Sequence, residues 1–286
     1  MIARDTARAS VNLAAESRPG NVAAVILAAG KGTRMKSDLP KVLHRLHGQS
    51  LIQHVIGRVR KVGIDDLIVV VGYKRDMVIA EVGAGVRYTV QEEQLGTAHA
   101  VMMARSLLTD FDGRVLVVYG DMPLINPHTM RTLIERCTGD VKASLLTIVL
   151  ENPPDFGRVV RDGQGKVTHI VEVRDADLQT LSIKEINVGM YCFDSRALLD
   201  ALARLSNHNA QGEYYLTDVI GLIGEAGGRI ETIAAPTIEE TLGINDLNHL
   251  RFAESLRHLD YAESMYAIVD AVIAESRSSG PQRSSE

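Results

Sequence analysis

The chain has 286 residues, of which 45% are apolar and 23% charged, an ordinary globular composition that allows one α/β domain with a smaller subdomain. A formal net charge of −5 argues against a broad basic surface for nucleic acid. No apolar run approaches the roughly 18 residues of a membrane span, and the first twenty residues lack the apolar core of a secretion signal, so we expect a cytoplasmic protein with no membrane partner.

The chain begins with a polar extension, residues 1–20, which we expect to be disordered. From residue 22, short apolar runs alternate with segments of helical period. The runs predict buried strands at 22–27, 67–71, 86–90 and 115–119. The other segments predict helices at 50–62, 74–82, 97–108 and from 126 onward. This order predicts a Rossmann-like, doubly wound, mostly parallel α/β sheet with ligands at the carboxyl ends of its strands.

The pattern changes after about residue 143. Two β-prone runs, 158–161 and 166–171, flank the turn sequence DGQG and predict a hairpin, and residues 186–193 predict another strand. We therefore divide the chain into a first lobe at about 21–142 and a smaller second lobe at about 143–235. Residues 246–276 predict an arm helix, and the Ser-rich residues 277–286 predict a disordered tail.

The two cysteines, Cys137 and Cys192, show no CxxC spacing and build no disulfide framework. We expect them to be buried thiols in a reducing compartment.

A glycine-rich loop, LAAGKGTRM at 27–35, directly follows the first predicted strand. Gly30 and Gly32 let backbone N–H groups approach an anion closely. The loop does not have the GxxxxGK[ST] spacing of a Walker A motif, and Met35 stands where the dinucleotide fingerprint GxGxxG needs its third glycine. The loop predicts a phosphate-binding turn, while a plain tight turn is the alternative.

Two cations lie close to the glycines of this loop. Arg34 follows them within the loop, and Lys41 lies in the next segment, SDLPKVL. Pro40 stiffens the backbone just before Lys41. A lysine held rigidly beside a phosphate loop is suited to neutralise charge, whereas an isolated lysine is usually a solvated surface group. The pattern predicts that Arg34 and Lys41 act on phosphate.

Taken together, LAAGKGTRM and LPKVL resemble the sugar-nucleotide pyrophosphorylase superfamily, and more narrowly the uridyltransferase half of the bifunctional N-acetylglucosamine-1-phosphate uridyltransferase/glucosamine-1-phosphate acetyltransferases. The similarity runs from about residue 22 to 250. It implies a nucleotidyltransferase domain at 21–245, of the nucleotide-diphospho-sugar transferase type. It also implies Mg²⁺-dependent transfer of UMP from UTP to N-acetylglucosamine 1-phosphate with release of pyrophosphate, a step toward peptidoglycan precursors.

The resemblance assigns catalytic roles to Arg34 and Lys41. It also assigns nucleotide contacts, including uracil contacts from the segment QEEQLGTAHA at 91–100. The nucleotide-binding set is Leu27, Ala28, Ala29, Gly30, Gly32, Gln91, Gly96 and Thr97. A glutamine offers both a donor and an acceptor to the edge of uracil. His99 lies on the helix that follows, and we interpret it as structural.

A magnesium ligand is expected at Asp121, in YGDMPL at the end of the fourth predicted strand. An aspartate there is otherwise often a turn or helix cap. The resemblance implies that Asn245, in GIND at 243–246, is the second ligand. Asn245 is also a plausible N-cap for the arm helix, and Asp246 is the alternative cap.

The resemblance places sugar contacts mainly in the second lobe. The sugar-binding set is Tyr119, Gly120, Gly157, Glu172 and Asn187. After Glu172 the family usually reads His-Lys-Asp-Ala, whereas this chain has Val173-Arg174-Asp175-Ala176, and arginine keeps the charge of lysine without its geometry. The segment NHNAQGEYYLTD at 207–218 also matches the family and is expected to shape the sugar lobe.

Two alternatives stay open: a uridylyltransferase for another sugar 1-phosphate, such as glucose or N-acetylgalactosamine, and a silent nucleotide-sugar sensor. The bifunctional relatives continue into a trimerising β-helix of hexapeptide repeats that carries acetyl transfer. Because this sequence shows no such repeats, we expect no acetyltransferase activity, and the oligomeric state stays open.

Overall fold

The structure is a computed structural model that describes residues 20–256. The predictions for the N-terminal extension, for the arm helix beyond residue 256 and for the C-terminal tail fall outside the described residues. Between residues 20 and 256, every helix is too short or too polar to cross a membrane.

The strands of the described chain are β1 (Val22–Ala28), β2 (Arg45–Leu46), β3 (Gln49–Ser50), β4 (Asp66–Val71), β5 (Arg87–Val90), β6 (Arg114–Tyr119), β7 (Val141–Val149), β8 (Arg158–Arg161), β9 (Val167–Val171), β10 (Glu185–Asp194) and β11 (Arg229–Ala234). The helices are α1 (Leu51–Lys61), α2 (Arg75–Val82), α3 (Thr97–Met103), α4 (Arg105–Leu108), α5 (Pro127–Arg136), α6 (Leu178–Leu181), α7 (Ser195–Arg204), α8 (Asp218–Glu225) and α9 (Leu247–Ser255).

Nine strands form one sheet, whose main path runs β11-β7-β10-β6-β1-β4-β5, with β8 and β9 attached beside β10. Strand β1 pairs in parallel with β4 on one side and β6 on the other. Strand β10 runs antiparallel to both of its neighbours, β6 and β7. The sheet is therefore mostly parallel and doubly wound, which confirms the predicted fold class.

Helices cover both faces of this sheet because alternate residues of its strands are buried on opposite sides. Ala24 and Ile26 of β1 belong to a core with α1 and α5. Val25 and Leu27 belong to a second core with α3, α7 and α8. All seven residues of β1 are buried, which is why its sequence is a continuous apolar run.

The predicted strands and helices of the first lobe are confirmed within one or two residues at their ends. One difference concerns the helix predicted at 97–108, which is interrupted at Ala104. There the backbone N–H bonds to the carbonyl of Val101, three residues back, and the chain restarts as α4. Ser50 and Asn126 cap α1 and α5, because their side chains accept backbone hydrogen bonds from Gln53 and His128.

A third, smaller core joins the glycine-rich loop to α9. Met35 is 1% exposed and packs in it with Ile244 and Leu250. Met35, which stands where the dinucleotide fingerprint needs its third glycine, therefore attaches the loop to α9 by apolar packing. Asp246, rather than Asn245, caps α9, because its carboxylate accepts hydrogen bonds from the N–H groups of Asn248 and His249 at 2.8 and 2.9 Å.

Candidate active site

The site lies where the strand order reverses. From β1 the chain proceeds to β4 and β5 on one side and then to β6 on the other. In an open α/β sheet, the loops that follow the two strands at such a switch point separate and leave a crevice. Here those loops are the glycine-rich segment after Ala28 and the segment around Asp121 after β6.

A cavity of about 240 Å³ occupies this crevice. Of the predicted nucleotide residues, all but Gly32 line it. Its lining is Leu27, Ala28, Ala29, Gly30, Lys41, Val42, Gln91, Gln94, Gly96, Thr97, Ala100, Tyr119, Asp121 and Glu213. We call it the nucleotide cavity.

Gly32 lies outside this lining and shapes the loop from behind. Its φ is +66°, and a Cβ at this position would lie 2.5 Å from Cβ of Lys41. Only glycine tolerates both the backbone conformation and the contact. Gly32 thus lets Lys41 lie directly against the loop. Arg34, by contrast, is exposed, and it lines neither this cavity nor the second cavity described below.

Lys41 joins the two predicted metal ligands. Its ammonium contacts Oδ2 of Asp121 and donates to Oδ1 of Asn245 at 2.8 Å. The backbone N–H of Ile244 donates to the carbonyl oxygen of Asp121 at 2.8 Å, which fastens residues 243–245 to the end of β6. Nδ2 of Asn245 donates to the carbonyl of Gly243, which leaves Oδ1 directed at the ammonium. Residues more than 120 positions apart are brought together in this way.

The donor set of Asp121 and Asn245 fits a magnesium ion. It consists of one carboxylate and one amide oxygen, both hard donors, and both contact the same cationic nitrogen. Residues 20–256 contain no cluster of three or more His, Cys, Asp or Glu side chains arranged for a metal. Magnesium does not need one, because it commonly keeps water and substrate phosphate as ligands.

A second cavity, of about 260 Å³, adjoins the first and shares Lys41, Tyr119 and Asp121 with it. Its lining is Lys41, Tyr119, Asp121, Met122, Asp155, Phe156, Gly157, Glu172, Asn187, Val188, Gly189, Thr241, Gly243 and Asn245. We call it the sugar cavity, because all the predicted sugar residues except Gly120 line it. Gly120 lies behind the wall, with its N–H bonded to the carbonyl of Leu27 at 2.9 Å.

Glu172 and Asn187 are polar side chains of the sugar cavity that each have a hydrogen-bond partner in the wall. The hydroxyl of Thr217 donates to Glu172 at 2.9 Å, and Nδ2 of Asn187 donates to the Tyr191 hydroxyl at 2.7 Å. Burial, opposed by the Thr217 hydrogen bond, raises the pKa of Glu172 above its ordinary value. Burial also raises the pKa of Tyr119, so this phenol stays protonated.

Gln94 and Glu213 line the nucleotide cavity, although the sequence alone assigned no role to either. Gln94 donates from Nε2 to the carbonyl of Ala29 at 2.8 Å and so fastens the 91–100 loop to the glycine-rich loop. Glu213 lines the nucleotide cavity, although its segment was expected to shape the sugar lobe. Their position within the matched motifs was a usable signal for both.

The structure resembles a solved protein of Bacillus anthracis, provisionally assigned as a glucose-1-phosphate thymidylyltransferase and crystallised with a sucrose. The TM-score is 0.65, and the match covers 82% of this chain and 94% of that one. At 20% sequence identity this likeness concerns the fold.

Curated relatives are closer in sequence. The bifunctional protein GlmU of Geobacillus sp. (strain WCH70) is 51% identical over 234 residues, which are 82% of this chain and 51% of that protein. The bifunctional protein GlmU of Brevibacillus brevis is 46% identical over 233 residues, 81% of this chain and 50% of that protein. The chain thus spans about half the length of the curated relatives it matches.

The family profile described as "MobA-like NTP transferase domain" matches residues 24–218. That range runs from β1 through the glycine-rich loop, the 91–100 loop and Asp121 to the first residue of α8, and so includes most of both cavities. The chain belongs to the family of MobA-like NTP transferase domains.

Proposed function

We propose that this chain transfers UMP from UTP to N-acetylglucosamine 1-phosphate, giving UDP-N-acetylglucosamine and pyrophosphate. The observation that carries the proposal is the pair of adjoining cavities that share Lys41, Tyr119 and Asp121. Two substrates can be bound side by side, with their reacting phosphates meeting at the shared residues. The similarity to bifunctional GlmU proteins supports this particular pair of substrates.

The proposed chemistry is mainly positioning and charge neutralisation. A sugar 1-phosphate is ionised at neutral pH, so its attacking oxygen needs no general base. Lys41 lies at the junction of the cavities and stabilises the charge that develops at the α-phosphate. Arg34 is exposed, so its guanidinium is accessible to the phosphate tail and the pyrophosphate leaving group. A magnesium ion held by Asp121 and Asn245 would supply further charge neutralisation between the two phosphate groups.

The remaining residues orient the substrates. In the proposal, Gln91, Gly96 and Thr97 contact uracil, and the glycine-rich loop contacts the triphosphate. The sugar is held by the side chains of Glu172 and Asn187 beside Gly157. Residues 21–142 then supply most of the nucleotide contacts, and residues 143–235 most of the sugar contacts. Holding both reactants in line removes most of the entropic barrier to a two-substrate reaction.

The test is pyrophosphate release by the purified chain, crossing four nucleoside triphosphates with a panel of sugar 1-phosphates. We expect the highest kcat/KM for UTP with N-acetylglucosamine 1-phosphate and no turnover without Mg²⁺. A preference for glucose or N-acetylgalactosamine 1-phosphate would overturn the sugar assignment alone. Nucleotide-sugar binding without turnover would overturn the transfer itself. The expected absence of acetyl transfer stays a prediction, tested with acetyl-CoA and glucosamine 1-phosphate.

A further inference from the structure

Gln91 lines the nucleotide cavity while its amide nitrogen is engaged inside the protein. The residue is 5% exposed. Its Nε2 lies 3.0 Å from the carbonyl oxygen of Gly96 and 3.1 Å from Nδ1 of His99. An amide nitrogen has two hydrogens, and these two acceptors use both. The amide oxygen is the polar atom that remains for a ligand.

The two contacts together fix which way the amide faces. With the amide reversed, Oε1 would lie against the Gly96 carbonyl oxygen and bring two acceptors together. His99 accepts through Nδ1 only as the neutral imidazole with its proton on Nε2. The Gly96 contact holds one hydrogen of the amide and the His99 contact holds the other.

His99 is itself held in place by the segment that follows Glu213. Its ring stacks on Tyr214, with ring centroids 6.2 Å apart and an interplanar angle of 27°. The Tyr214 backbone is joined to the 91–100 loop at two points, since its carbonyl accepts from the N–H of Ala98 at 3.0 Å and its N–H donates to the carbonyl of Leu95 at 2.8 Å. Gly96 has a φ of +109°, and a Cβ there would lie 2.5 Å from the Tyr214 carbonyl oxygen. The histidine therefore has a rigid support.

We infer that His99 is a specificity-determining positioning residue, which fixes the Gln91 amide so that Oε1 faces the nucleotide cavity as an acceptor. An acceptor there pairs with N3–H of uracil and opposes the lone pair on N3 of cytosine. The inference rests on the proposed function, since it concerns the base that the nucleotide cavity accepts.

The experiment compares kcat/KM for UTP and for CTP in four variants of the 286-residue chain. His99→Leu removes the acceptor. His99→Asn keeps an acceptor near the position of Nδ1, whereas His99→Gln places its amide near the position of Nε2. The exposed His169→Leu, which lines neither cavity, is the matched control for exchanging a histidine for an apolar residue. Thermal unfolding of each variant is measured in parallel.

We expect His99→Leu and His99→Gln to lower the UTP-to-CTP ratio by roughly 10-fold, the cost of one unpaired polar contact. The ratio should be unchanged in His99→Asn and His169→Leu. A structural role alone would lower stability, or turnover with both nucleotides, and leave the ratio constant. That result would overturn the inference, as would an equal loss of selectivity in His99→Asn. If His99→Leu does not fold, the Asn and Gln variants decide. A wild-type chain that does not turn over UTP refutes the proposed function, whereas a UTP-selective wild type with unaltered variants refutes only the role of His99.

Discussion

The nucleotide cavity is lined largely by loops that follow parallel strands. Apart from Lys41 and residues 119–122 at its border with that cavity, the sugar cavity is lined by four separate stretches of the chain. Leu27 to Gly30 and Gln91 to Ala100 supply most of the first cavity, much of it through backbone and small side chains. The second takes Gly157, Glu172, Asn187 and the 241–245 stretch, which are up to about 90 residues apart. Backbone groups suit a phosphate chain, which is the same in every nucleotide, and side chains suit a particular pattern of sugar hydroxyls.

The two cavities also differ in how their carboxylates are balanced. Asp121, at the border, contacts the ammonium of Lys41. Glu172 has a hydroxyl partner, Thr217, and burial raises its pKa. At the border, the Asp121 carboxylate is balanced by a cation, the Lys41 ammonium. At the sugar end, the Glu172 carboxyl group is held by a neutral hydrogen-bond donor. The following substitutions test that contrast.

The largest effect is expected at the border. Lys41→Ala and Arg34→Ala should lower kcat by about 10²-fold or more, with a smaller change in KM for UTP, because both cations interact best with charge that develops during transfer. Steady-state kinetics with Lys166→Ala, an exposed turn lysine, as control measures this. Near-normal turnover in both variants would show that Lys41 and Arg34 take no part in catalysis.

At the sugar end, Glu172→Gln should raise KM for the sugar 1-phosphate by roughly 10-fold, the cost of a lost charge-assisted hydrogen bond, with little change in KM for UTP. Glutamine retains an oxygen that can accept from Thr217, so the fold is preserved. Initial rates with each substrate varied in turn separate the two KM values. An equal rise in KM for UTP and in KM for the sugar 1-phosphate would show that the two cavities do not bind their substrates independently.

At the junction with α9, Asn245→Ala should raise the Mg²⁺ concentration needed for half-maximal rate several-fold, because Asp121 would remain as the one protein ligand of the proposed pair. The measurement is a metal titration with both substrates present. The matched variant is Asp246→Ala, which removes the helix cap beside it and should lower stability by about 1 kcal/mol without shifting the metal titration. Identical titrations for Asn245→Ala and wild type would exclude the amide as a ligand.

The smallest effect concerns pH and stability behind the sugar cavity. Burial, with the nearby Glu172 and Asp175 carboxylates, raises the pKa of Asp218 to about 6 from its ordinary 3.8. A raised carboxyl pKa stabilises the fold below the unfolded pKa, and that contribution is lost as pH rises through about 6. Asp218→Asn should therefore become more stable relative to wild type between pH 4 and pH 7, by roughly 1–2 kcal/mol after allowance for solvent screening.

Denaturant unfolding at several pH values provides this measurement, with exposed Asp110→Asn as control. A stability difference that stays constant across this range would show that the Asp218 carboxyl titrates alike in the folded and unfolded chain.

The sequence was most informative where a feature is local. The buried strands β1, β4 and β6 were recognisable because each is covered on both faces and contains an uninterrupted run of buried apolar residues. Residues of β7 and β11 were not recognised as strands, because the pattern near residue 143 shifts and β11 lies at the sheet edge with partly buried residues. Helices α7 and α8 were likewise not assigned in advance.

By itself the sequence determined the parallel α/β arrangement, the glycine-rich loop and the candidate residues, since apolar periodicity and turn chemistry depend on neighbouring positions. Only the tertiary structure decided that Met35 is an apolar anchor, that Gly32 makes room for Lys41, and that the Lys41 ammonium joins Asp121 to Asn245. Apart from the contact between Gly32 and Lys41, these contacts link residues far apart in the chain, and no local pattern encodes them. They form because the parallel strands end at one edge of the sheet, where their loops must pack against each other.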